Sequence, residues 1–162
     1  VASSTIAESS VAADAALRRR SDWRARWRAV THAIRRWAME HPSEYSLLFG
    51  TPVPGYAAPL DTIGPASRYT LVLLRLLVDL AASGVVHDEP VPRAVRGDLA
   101  NLRQLADGAV TDSSLLLGLT AWAAVMGAVS LELFGHLHNV IDEPGALFVA
   151  VVEQHGALLV GE

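Results

Sequence analysis

The chain has 162 residues, of which 51% are hydrophobic and 19% charged, with a formal net charge of −4 and no cysteine. That length suits one domain with a real core, and the apolar share exceeds the usual figure of about 45–50%, so part of it is expected to be covered by something else. The acidic balance excludes a chain that binds nucleic acid over its whole surface. Lack of cysteine excludes a disulfide framework and thiolate chemistry, and suits a cytoplasmic protein.

Residues 1–20 are rich in Ala and Ser with weak periodicity, which reads as a frayed helix or a linker. Their charges follow the small residues instead of preceding an apolar stretch, so this is not a signal peptide. Asp22 to His41 reads as an amphipathic helix, because Trp23, Trp27, Val30, Ile34 and Trp37 recur at spacings of 4, 3, 4 and 3. Pro42 ends it, and residues 43–50 add a short helical turn that closes on Gly50. Residues 51–65 hold Pro52, Pro54, Gly55, Pro59 and Gly64 and read as a loop. A third helix spans about Pro65 to Ser83, with Gly84 as its stop. His87 to Pro92 forms a further loop, and Arg93 to Ala106 a helix ended by Asp107-Gly108. Thr111 to Gly135 is the next helix. Asp142, Glu143 and Pro144 then start a last one, with acid at the N-terminus and Pro in the first turn. It runs to about Val160 and carries Phe148, Val151, Val152, His155 and Leu159 on one side. No run of period 2, no Asn-Gly hairpin signal and no repeat interrupts this order. The sequence predicts an all-α bundle of about six helices, read as a single domain over residues 1–162.

Residues 113–131, SSLLLGLTAWAAVMGAVSL, carry no charge over 19 positions. As a helix they extend roughly 28 Å. Leu115, Leu119, Trp122, Met126, Val129 and Leu133 form one stripe, and Leu116, Thr120, Ala123, Ala124, Gly127 and Leu131 the opposite one. A helix without a polar face is buried all round, in a core, a bilayer or another subunit. The length fits a bilayer, but the run contains Ser, Thr and Gly and no basic cluster flanks it. The other apolar stretch, Tyr69 to Val86, is broken by Arg75 and Asp79. The expectation is therefore no membrane and a second copy of the chain.

Signals for catalysis are weak. Phosphate-binding glycine loops, HExxH and GxSxG are all missing. Glu132, His136 and His138 could approach a metal, but a di-metal bundle needs paired Glu-x-x-His elements on facing helices. They read more simply as polar groups at a helix end. Eight of the 13 arginines fall between Arg18 and Arg36, interleaved with Trp23 and Trp27. Phosphate or membrane-surface binding would use such a cluster, yet the regular Trp spacing favours a solvated face with its Trp stripe turned inward. Trp37, Phe49, Tyr69 and Trp122 point inward, either as core or as walls around an apolar ligand. Arg75 either pairs with Asp79 at i+4 or anchors such a pocket.

Two stretches carry a resemblance. WAMEHPSEYSLLFGTPVPGYAAP, Trp37 to Pro59, and WAAVMGAVSLELFGHL, Trp122 to Leu137, resemble the C-terminal domain of TetR-type transcriptional repressors, in the subgroup named for a Trp-His-Gly signature. Trp122 and Gly127 match that signature, and Met126 stands where the subgroup usually has His. The resemblance implies a helical domain that binds a small effector and dimerises through its last two long helices, about 111–136 and 143–160 here. It also implies DNA binding only through an upstream helix-turn-helix domain, which nothing in this sequence supplies. Expected ligand-binding residues are Trp37, Phe49, Tyr69, Trp122 and Met126, with Arg75 as a polar candidate; Met126 favours a more apolar effector. Expected dimer-interface residues are Ala124, Gly127, Leu131, Phe134, Phe148, Val152 and His155. No catalytic residue, metal or cofactor is expected. The alternatives are a metal-dependent bundle enzyme and a stand-alone helical interaction module.

Overall fold

The computed structural model describes residues 2–15, 22–50 and 63–162, without the side chains at 2–5, 7 and 63–70. Among the described residues there are seven α-helices and no strand. They are α1 (Ala2–Ala15), α2 (Trp23–Glu40), α3 (Pro42–Phe49), α4 (Ile63–Ala82), α5 (Arg96–Leu105), α6 (Asp112–Leu133) and α7 (Pro144–Val160). A single 3₁₀ turn, Arg93–Val95, leads into α5. The all-α expectation holds. Pro42 both ends α2 and opens α3, where its missing N–H costs nothing. The segment read as frayed helix or linker contributes α1, which buries Ile6 and Ser10. Of the loop predicted at 51–65, residues 51–62 lie outside the described residues, while 63–65 already belong to α4.

The tryptophan stripe makes α2 the hub. Trp23, Trp27 and Trp37 are all buried, with Val30 and Ile34 between them. Trp23 and Trp27 stack with ring centroids 5.8 Å apart, and their indole N–H groups reach in different directions. Trp23 donates to the Leu76 carbonyl of α4 at 2.7 Å, and Trp27 to the Val152 carbonyl of α7 at 2.8 Å. A Cβ at Gly156 would stand 2.9 Å from Trp27 Cδ1, so the missing side chain is what lets α7 lie against the indole. A buried tryptophan of this kind is worth about 3–5 kcal/mol against alanine.

Carboxylates meet the arginines on the remaining sides of α2. Arg26, buried, donates to Asp14 of α1 and pairs with Asp79 of α4 at 2.8 Å. Arg28 Nε donates to Glu153 of α7 at 2.6 Å, and Arg35 Nε to Glu132 of α6 at 2.8 Å. Within that arginine-rich stretch, Arg26, Arg28 and Arg35 tie α2 to its neighbours, so the solvated face expected there is only partly found; Arg18 to Arg20 lie outside the described residues.

Two apolar clusters result. The larger joins α2, α4, α6 and α7. The smaller gathers Leu99, Ala106, Val110 and Leu115 under α5. Thr111 caps α6 by accepting from the Ser114 N–H and donating to the His87 carbonyl, which fixes where α6 starts.

Candidate functional site: a leucine-lined cavity and an uncharged outer face

A cavity of about 210 Å³ lies where the two clusters meet, between α4, α5 and α6. From α4 come Leu71, Leu73, Leu74 and Leu77; from α5, Leu102 and Leu105; from α6, Leu115, Gly118, Leu119 and Trp122. It exists because α5 is short and buries only Leu99 among its residues, so it bridges α4 and α6 without filling the space between them. Gly118 is where α4 and α6 come closest at the cavity wall: a Cβ there would stand 2.4 Å from Leu77 Cδ1. Leu71, Leu105 and Leu119 are exposed and form an apolar rim.

Of the residues expected to bind a ligand, Trp122 lines this cavity. Met126, one turn on, is buried in the main core, where its carbonyl lies 3.4 Å from the Tyr45 hydroxyl. Trp37 is 3% exposed, stacks on His41, and its indole nitrogen has no hydrogen-bond partner among the described residues. Phe49 packs on Tyr45. Tyr69 belongs to α4, but its side chain lies outside the described residues. Arg75 is exposed, which overturns the inward anchor; its expected partner Asp79 goes to Arg26 instead. The leucines that build the wall are legible only as the runs LVLLRLLVDL at 71–80 and LLLGL at 115–119. Nothing in those runs tells a cavity wall from packed core.

On its other side α6 turns outward a stripe of Leu116, Thr120, Ala123, Gly127, Leu131 and Phe134, half-buried to exposed and without charge. Leu131 is 43% and Phe134 40% exposed. Beside it α7 exposes Ala146, Val149, Ala150, Gln154 and Leu158. Ala124 and Gly127 sit at or near this stripe, and His155 is half-buried with its ring against the Val151 carbonyl. Phe148 and Val152 require a correction. At 1% and 0% exposure they belong to the chain's own core, facing α2, and cannot present to a partner. Glu153, the one charged residue of α7, pairs with Arg28, and the rest of α7 is apolar on both sides, so hydropathy alone does not orient it.

Glu132 is engaged by Arg35, and His136 and His138 are exposed beyond the end of α6. Among the described residues no three His, Asp or Glu side chains stand close enough to share a metal ion. Burial of the His32 ring, with Arg35, Arg36 and Arg28 nearby, holds its pKa below the usual histidine value against the pull of Glu153. Arg28 holds the Glu153 carboxyl below its usual range.

Residues 27–155 match the family model described as tetracyclin repressor-like, C-terminal domain. The chain belongs to that family. Among its relatives are the HTH-type transcriptional regulators Rv1816 of Mycobacterium tuberculosis and Mb1846 of Mycobacterium bovis, each 33% identical over 138 residues, or 78% of this chain. The chain spans 59% of the length of these relatives. The crystal structure of SCO4313, a protein described as regulatory, superposes with a TM-score of 0.70 at 32% identity, over 95% of this chain and 68% of that one. The family match covers α2 from Trp27 through most of α7, and the shared fold with SCO4313 extends over 95% of the chain.

Proposed function

We propose that this chain is the ligand-sensing and dimerisation domain of a TetR-like transcriptional repressor in the cytoplasm. A small, largely apolar effector enters the cavity between α4, α5 and α6, and a second copy covers the outer face of α6 and α7. DNA is read by a helix-turn-helix domain upstream of this chain. The observation that carries the reading is the double use of α6. Leu115, Gly118 and Trp122 on its inner side line the cavity, while Ala123, Gly127 and Leu131 on its outer side are uncharged and uncovered. A ligand that shifts α6 also shifts the surface by which two DNA-reading heads are spaced. Coupling of this kind works through differential affinity for two spacings and typically amounts to about 5–150-fold in affinity.

The relatives' role as transcriptional regulators supports this over an enzyme. α6 is long and apolar enough to cross a membrane by length and composition, but its inner side packs on the core and its outer side matches α7, which suits a subunit contact.

The test uses the complete gene product. Its preferred DNA is selected from random sequence, and binding is followed with and without ethylbenzene. Sequence-specific binding that changes at least about 5-fold on ligand addition is expected. No specific DNA binding by the complete product would overturn the reading.

A further inference from the structure

We propose that the cavity selects neutral, hydrocarbon-like molecules of single-ring aromatic size and rejects charged and strongly hydrogen-bonding ones. This rests on the reading of the cavity as the effector site, and it adds the chemical class. The wall consists of eight leucines, one glycine and one tryptophan. It has no carboxylate, guanidinium, imidazole, amide or hydroxyl, and the nearby Arg75 is exposed. The main-chain groups along α4, α5 and α6 are engaged in their own helices. A carboxylate entering this space gives up its hydration and meets at most the Trp122 indole N–H, whereas a hydrocarbon loses nothing.

Size follows from volume. A dry leucine-type cavity of about 150 Å³ accepts benzene, so 210 Å³ corresponds to about eight carbon atoms, the size of ethylbenzene or xylene. Leu77 packed against Gly118 closes the cavity between α4 and α6 there and leaves no room for a longer molecule on that side. The exposed rim of Leu71, Leu105 and Leu119 gives such a molecule an apolar path inward.

Gly118 is the residue that sets this capacity. An added methyl group would stand 2.4 Å from Leu77 Cδ1, 3.1 Å from its Cδ2 and 3.2 Å from its Cγ, so the whole Leu77 side chain must change rotamer, while alanine favours the helix over glycine. Gly118→Ala is therefore expected to fold and to narrow the cavity.

The experiment is calorimetric titration of the chain with benzene, ethylbenzene, phenol, benzoate and phenanthrene. Ethylbenzene is expected to bind, phenol about 10–100-fold more weakly, and benzoate at least about 100-fold more weakly. Phenanthrene is expected not to bind. In Gly118→Ala the preference moves from ethylbenzene towards benzene by at least about 10-fold, a change of roughly one added methyl in a tight pocket. Benzoate binding as tightly as ethylbenzene, phenanthrene binding as tightly, or no probe binding at all would each overturn the proposal. Should Gly118→Ala fail to fold, the series on the unaltered chain still decides. These titrations involve no DNA, so selective binding with no effect on the complete gene product would fault the regulator reading alone. Conversely, unselective binding with a normal DNA response would fault this proposal alone.

Discussion

His32 shows how a single side chain can sense the seam between α2 and α7. Its ring meets Phe148 edge-on at 5.3 Å, and the Arg35 guanidinium lies over the ring of the same Phe at 5.5 Å. Because burial and the neighbouring arginines lower its pKa in the folded chain, the unfolded state binds the proton more readily. Stability from this group is complete above the unfolded value of about 6.5 and is lost as pH falls through the lower folded value. Glu153, held down by Arg28, keeps its charge across that window and does not obscure the effect. Thermal unfolding followed between neutral pH and pH 5 should show a falling midpoint, and His32→Gln should flatten that fall. A midpoint equally steep in the variant would place the sensitivity elsewhere.

At the scale of elements, α2 was largely legible and α7 only half so. Five apolar residues at regular spacing specify which side of α2 goes inward, though not that Arg26 is buried beside them between Asp14 and Asp79. α7 offers no such contrast: Phe148, Val152 and Leu159 on one side face Ala146, Ala150 and Leu158 on the other. Its orientation depends on Trp27, which needs a glycine beneath it and finds Gly156. That relation joins residues 129 positions apart and leaves no periodic trace. The cavity was illegible for a related reason, because it is space left over by a short α5 and a close α4–α6 contact at Gly118. On α6 the lack of charge is equally two-sided, and the small residues Ala123, Ala124 and Gly127 are what mark the outer side. Leu131 lies towards the C-terminal end of that outer stripe and is already half in water in the single chain, so Leu131→Arg should leave the fold intact while placing a charge in the contact. Burying an unpaired charge there costs several kcal/mol, enough to weaken a dimer by a factor of about 100 or more. Circular dichroism should be unchanged and the sedimenting mass should halve; a dimer as stable as the unaltered one would show that α6 uses another face.

For the molecule as a whole, the account turns on one arrangement. Arg26 fastens α1 to α2 and α4, α4 forms one wall of the cavity and α6 the other, and the back of α6 is left uncovered. Exposed Leu131, Phe134, Val149 and Leu158 are more apolar surface than scattered residues on a monomer would explain, and two facing helices from each copy would bury an area at the large end of the range, about 2,000 Å² or more. Sedimentation equilibrium of the chain at micromolar concentration tests this most directly. The account predicts a single species of twice the chain mass of 17.3 kDa that persists on dilution; a stable 17.3 kDa monomer would contradict it.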